Sequence, residues 1–386
     1  MSPSTASLAD LVRAGSRVAV GDRIGMPRSV FAELGALSRE RGGLNLVVGW
    51  FPVPDDRFEP TDYADVRTLM GGWGLRRAID SGTVHAPPVR WSATPALLAG
   101  PLRPDVVVVT AVPRADGSLG FGTEVSWMHA AVTAGAVVAA VVNPSRPWCD
   151  VGPPLPSDRV FIIGECDEPP IDLSFTLPTE DHRAIAERVA ALIPEGARLQ
   201  VGPGALGSAV LEAVRRPVTL DSGLLPDGVV GLDRRGLLVG EPVATYLAGG
   251  PELLAWADGR PILHPVEHTH DPTRLSTGTP LVAVNTAIEV DEQGQVNVEG
   301  FPGAAVGGVG GHPDYAVAAT RSPGGLSIIA LPSRHQGRST LVERLSAPVS
   351  TPSHDVDVLV TEQGAADMRG LDRDERARAI RHLWAR

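Results

Sequence analysis

The chain has 386 residues, 43% of them hydrophobic, 20% charged and 4% aromatic, which is enough for two domains with cores of their own and excludes a disordered or fibrous protein. Glycine and proline number 43 and 35 without any collagen-like period, so they punctuate turns. The net charge of −11 argues against a nucleic-acid partner, and all 34 basic residues are arginine, which excludes Schiff-base chemistry on lysine and a P-loop lysine.

The segment before Gly15 lacks the apolar stretch of a signal peptide. The longest nearly apolar run, residues 130–142, is too short to cross a bilayer. Cys149 and Cys166 are too few for a disulfide framework and neither lies in a CxxC pattern. These features lead us to expect a soluble, cytoplasmic protein with no membrane partner.

Along the chain, a β-prone run, Arg17-Val18-Ala19-Val20, ends at Gly21, and the apolar pattern that follows predicts a helix over 30–38. Continuous apolar runs at 105–110 and 137–142 read as buried parallel strands. A stretch rich in proline and acidic residues, from Gly152 to Pro170, then separates this half from the next, and the expected boundary gives domains 1–178 and 179–386. The second half opens as the first does: Arg198-Leu199-Gln200-Val201 ends at Gly202 and a helix is predicted over 208–214. Strands are predicted at 327–331 and 356–361. Val142-Asn143-Pro144-Ser145-Arg146 and Leu331-Pro332-Ser333-Arg334 end their strands in nearly the same way, a second sign of duplication. The expected fold class is α/β, two similar open domains with mainly parallel sheets and a binding site in the cleft between them, beyond the carboxyl ends of the strands.

Local composition is most unusual at Gly303–Tyr315, where five glycines fall within the nine residues 303–311. Such a run lets backbone amides approach a ligand and face a developing negative charge, although a surface loop has the same composition. Five blocks in order, Val284-Asn285-Thr286-Ala287-Ile288-Glu289-Val290-Asp291, Gly294-Gln295-Val296-Asn297, Gly308-Val309-Gly310-Gly311-His312-Pro313-Asp314-Tyr315, Ile328-Ile329-Ala330-Leu331-Pro332-Ser333 and Val360-Thr361-Glu362-Gln363-Gly364, resemble the acetyl-CoA hydrolase and 4-hydroxybutyrate CoA-transferase family. A weaker resemblance continues toward the N-terminus. It implies a CoA-transferase fold of two α/β domains, an acyl-CoA substrate, no cofactor other than coenzyme A as part of that substrate, and a possible homodimer.

In that family, the resemblance implies, a glutamate attacks the acyl-CoA carbonyl. The matching run here is Asp221-Ser222-Gly223-Leu224-Leu225-Pro226-Asp227-Gly228-Val229-Val230, and Gly223 stands at the glutamate's place. Glycine has no side chain to attack with. Three readings are open: an enzyme that transforms an acyl-CoA, by hydrolysis or a related reaction, without an acyl-glutamyl intermediate; a catalytically silent acyl-CoA-binding or subunit-forming relative; and a transferase that uses another carboxylate.

Asp221 is one catalytic candidate, because positions i and i+2 of a strand share a face, with a capping aspartate as the plain alternative. Glu124 is a second, beside Gly120 and Gly122, unless it only opens a helix. His312 is a third, an imidazole directly after the glycine run, where the family usually carries glutamine; it either activates water or only hydrogen-bonds. Asn285, Gly308, Gly310 and Gly311 are the expected contacts to substrate or CoA, with Glu362 as a positioning group. His264, His268 and His270 with Glu267 and Asp271 have the composition of a metal site, and on a strand His268 and His270 would share a face. The run matches a family stretch without metal, so no metal is expected and His270 is read as a polar contact in the cleft.

Overall fold

The computed structural model describes residues 4–173 and 175–385. Two mainly parallel sheets carry the fold. The first orders its strands, edge to edge, as Ser4–Thr5, Val160–Glu165, Val137–Val142, Val106–Pro113, Arg17–Val20, Asn45–Val48 and Asp65–Thr68, with Leu119–Phe121 antiparallel beside Val106–Pro113. In the second the order is Thr219–Leu220, Arg198–Val201, Leu281–Asn285, Leu326–Ala330, Val358–Thr361 and, antiparallel at the edge, Gly364–Asp367.

Covering both faces of a parallel strand makes it apolar throughout rather than alternating. Val106 to Val109 and Leu281 to Val284 are accordingly buried without a break. The strand predictions fall within about three residues of these elements, and the two helices are Val30–Arg41 and Ala205–Ala213. Helix Val30–Arg41 runs three residues beyond its predicted end and stops at Gly42, whose left-handed φ of 84° suits a residue without Cβ. Helix Glu180–Leu192 is started by a capping box between Thr179 and His182.

The topology locates the site. In the second sheet Arg198–Val201 has Thr219–Leu220 on one side and Leu281–Asn285 on the other. Its chain connections therefore leave in opposite directions, and a crevice opens beyond the carboxyl ends of Arg198–Val201 and Leu281–Asn285. The first sheet has the same arrangement around Arg17–Val20, flanked by Asn45–Val48 and Val106–Pro113. Backbone contacts join the halves here. Trp91 N–H donates to the Gly310 carbonyl at 3.0 Å, and Ala305 N–H donates to Asp80 Oδ1 at 2.9 Å. Among the described residues no helix is long and apolar enough to cross a membrane.

Candidate active site

A cavity of about 460 Å³ occupies that crevice. Gln200 to Pro203 and Asn285 to Ile288, the residues that leave the two crevice strands, form one wall. The glycine-rich segment 307–311 and His312 form another, while Met70, Trp73, Arg76 and Trp91 close it from the first half. Gly223, Leu224, Tyr246, His270, Val298, Val306 and Tyr315 complete the described lining. No aspartate or glutamate is among the described residues that line it.

The glycine run is needed at two points. Gly310 has φ of 57°, and a Cβ there would also meet Met70 at 3.3 Å. A Cβ on Gly311 would collide with His270 Nε2. Gly311 also caps helix His312–Arg321, so the positive end of that helix faces the cavity together with the loop amides.

The state of His270 can be derived from its partners. Thr269 Oγ1 lies 2.8 Å from His270 Nδ1 and donates its proton to the Pro265 carbonyl at 3.3 Å. A hydroxyl has one proton, so, with that proton assigned to Pro265, Thr269 accepts from Nδ1–H and Nε2 carries the lone pair. That nitrogen points at Gly223: a Cβ added there would sit 3.2 Å from it. Burial and the positive charges of Arg23 and Arg274 push the His270 pKa down to about 3, which keeps the ring neutral in the physiological range.

His312 lies on the same cavity, and its Nε2 is buried without a hydrogen-bond partner; burial lowers its pKa to about 4. Gln200 Nε2 donates to Asn285 Oδ1 at 3.3 Å, which leaves Gln200 Oε1 and Asn285 Nδ2 unpartnered. A buried donor and acceptor without partners cost free energy unless a ligand or water satisfies them.

The structure thus brings together Asn285, Gly308, Gly310, Gly311, His312 and His270, and it places three other sequence candidates elsewhere. Asp221 does not face the cavity. Residues 221–223 are not a continuous strand, and the Asp221 carboxylate turns to Arg274, which binds both oxygens at 2.7 and 2.8 Å, and to Arg198 at 3.2 Å. Glu124 is buried behind the cavity wall; its Oε2 accepts from Gly25 N–H at 3.1 Å and from Thr123 Oγ1 at 2.6 Å, and burial raises its pKa to about 7. Glu362 accepts hydrogen bonds from the backbone and hydroxyl of Ser333 and lies outside the cavity lining. The histidine cluster is also built differently from a strand. Val266–Thr269 is a helical turn, so His268 stacks on His264 at 4.4 Å between ring centroids while His270 turns into the cavity.

One site residue gave no local sequence signal. Arg23 is 2% exposed, with its guanidinium 3.5 Å from the Tyr246 ring centroid and 4.9 Å from that of Trp91. It donates to Ser126 Oγ at 3.1 Å, and both residues hold left-handed backbone, φ 71° and 47°. Such strain in residues other than glycine costs about 1–3 kcal/mol each and persists where the surroundings enforce it. The scarcity of aromatic residues was the available signal for the neighbouring rings, since Trp91, Tyr246 and Tyr315 converge here from distant positions.

Comparison with known proteins bears on this geometry. Residues 249–383 match the acetyl-CoA hydrolase/transferase C-terminal domain. That match takes in about a third of the chain and makes its second half similar to the acetyl-CoA hydrolase/transferase family. The chain is 29% identical over 330 residues to a 4-hydroxybutyrate coenzyme A transferase of Clostridium kluyveri, covering 81% of this chain and 77% of that protein. Its fold matches RipA from Yersinia pestis with a TM-score of 0.86 and 25% identity, over 96% of this chain and 91% of the other. A 4-hydroxybutyrate CoA-transferase from Porphyromonas gingivalis matches with a TM-score of 0.77 and 26% identity, over 98% and 94% of the two chains. The chain therefore has the α/β CoA-transferase fold, and the proteins it is similar to include CoA-transferases and an acetyl-CoA hydrolase.

Proposed function

We propose that the protein hydrolyses the thioester of an acyl-CoA by direct attack of water, without an acyl-glutamyl intermediate. The observation that carries this reading is the lone pair of His270 Nε2 beside Gly223, in a cavity with no carboxylate among its described lining residues. The acyl carbonyl sits with its oxygen toward the amides of the 308–311 loop and its carbon on the cavity side of Gly223. A water hydrogen-bonded to His270 Nε2 attacks that carbon while its proton passes to Nε2. The C–S bond then breaks, the carbonyl reforms as the free acid, and the CoA thiolate takes the proton back from the imidazolium.

An imidazolium with a pKa of about 3 releases its proton readily in the return step, and the same low value makes Nε2 a weak base in the attack step. Thr269 fixes the tautomer, and the loop amides with the helix end at Gly311 stabilise the oxyanion. Arg76 is exposed at the rim, where the phosphates of CoA would emerge.

The test is His270→Gln, which keeps a hydrogen-bonding side chain but removes the proton acceptor. Turnover of an accepted acyl-CoA should fall by about 10²–10⁴-fold with CoA affinity retained. Unchanged turnover, or a covalent acyl or CoA adduct on a carboxylate of the unaltered protein, would overturn the reading.

A further inference from the structure

We infer that the acyl group this cavity takes is a planar ring, of the benzoyl type, rather than a short aliphatic chain or a dicarboxylic acyl group. The inference rests on the acyl-CoA reading above and names the substrate class for the same site. Coenzyme A is too large and too charged to enter a cavity of about 460 Å³ whole, so the acyl end of the thioester is the part that lies inside. It meets four Trp and Tyr rings there, among aliphatic side chains such as Met70, Ile288 and Val298. The chain has only seven tryptophans and three tyrosines, yet Trp73, Trp91, Tyr246 and Tyr315 all line this one cavity.

The inner rings form a continuous wall. His270 lies edge-on to Tyr315 at 5.0 Å between centroids and tilted to Trp91 at 6.4 Å, and Arg23 is clamped behind Trp91 and Tyr246. The faces opposed to these rings are glycines. A Cβ at Gly223 would lie 3.2 Å from His270 Nε2 and 3.6 Å from Tyr315 Cε2, and one at Gly311 would collide with His270 and lie 3.4 Å from Trp91 Cδ1, so the backbone packs directly on the ring wall at both glycines. Aromatic pairs favour offset or edge-to-face contact and gain beyond simple burial, which a flexible chain does not.

Charge points the same way. Arg76 is the only Arg or Lys among the described lining residues; it is exposed at the rim and donates to the Val306 carbonyl at 3.2 Å. A second carboxylate carried into the interior would meet neutral histidines and rings without a cation to pair with, which is costly.

The experiment is calorimetric titration of the full chain with CoA, acetyl-CoA, hexanoyl-CoA, succinyl-CoA and benzoyl-CoA. Benzoyl-CoA should bind about tenfold more tightly than acetyl-CoA or hexanoyl-CoA, with succinyl-CoA no tighter than acetyl-CoA. In Trp91→Leu the advantage of benzoyl-CoA over hexanoyl-CoA should shrink several-fold while CoA itself binds as before. Hexanoyl-CoA binding as tightly as benzoyl-CoA, or succinyl-CoA binding best, would refute the ring class and leave the acyl-CoA reading standing. Absence of binding by CoA and all four thioesters would remove both. The series on the unaltered protein decides the matter even where Trp91→Leu does not fold.

Discussion

Gly223→Glu is the substitution that tests the site's layout most directly. The backbone permits it, because Gly223 lies outside the left-handed region, and the constraint is space. The new Cβ would sit 3.2 Å from His270 Nε2 and 3.3 Å from Cε1, tighter than ordinary contact, and the ring cannot simply swing away, since Nδ1 is held by Thr269 at 2.8 Å and the ring edge packs on Tyr315. A shift of a few tenths of an ångström in His270 is required, and overpacking of this kind costs about 1–3 kcal/mol. The carboxylate brings a negative charge beside the imidazole, so the His270 pKa should rise from its depressed value. The same carboxylate stands where the thioester carbon is placed by the proposal. Attack would expel the CoA thiolate and form an acyl-glutamyl anhydride; return of the thiolate to the glutamyl carbonyl would then release the acyl group as its acid and leave CoA joined to residue 223 as a glutamyl thioester. Intact mass and peptide mapping after incubation with benzoyl-CoA or acetyl-CoA should therefore show a CoA adduct within residues 220–226 of the variant and none in the parent. A variant that melts within a few degrees of the parent and binds CoA, yet gives neither adduct nor altered turnover, would show that the thioester does not lie against Gly223.

Two other residues separate stability from chemistry. Asp221→Asn removes a buried charge that Arg274 holds at 2.7 Å and Arg198 at 3.2 Å, so it should lower unfolding free energy by about 3–5 kcal/mol in denaturant titrations, while kcat of the remaining folded protein stays within a few-fold of the parent. A specific loss of kcat at unchanged stability would return Asp221 to the list of catalytic groups. Glu124→Gln keeps an oxygen for Gly25 N–H and Thr123 Oγ1 but cannot ionise. The parent carboxyl, raised from 4.5 to about 7 by burial, contributes stability that is fully present below pH 4.5 and lost as pH rises through 7. The variant lacks that loss, so its stability relative to the parent should climb between those pH values by roughly 3 kcal/mol in all, and a pH-independent difference in unfolding free energy would show that Glu124 is ionised in the fold.

The sequence by itself determined the architecture. Short β-branched apolar runs such as Val106 to Val109 read as strands covered on both faces, and the glycine endings at Gly21 and Gly202 repeat one strand-turn-helix design, so two mainly parallel sheets were the expectation from local pattern. The glycine-rich segment and Asn285 were legible for the same reason, being unusual over a short stretch. The chemistry of the site was not, because it depends on which distant side chains share a few ångströms. Asp221 and Gly223 are two residues apart, yet Arg274, 53 positions beyond Asp221, turns the carboxylate away from the cavity. The tautomer of His270 is set by one hydroxyl proton of Thr269, and its neutrality by burial beside Arg23, which lies in the other half of the chain. Periodicity and spacing record which face of an element is apolar; long-range packing alone decides which polar atom is left with a free lone pair and what stands opposite it.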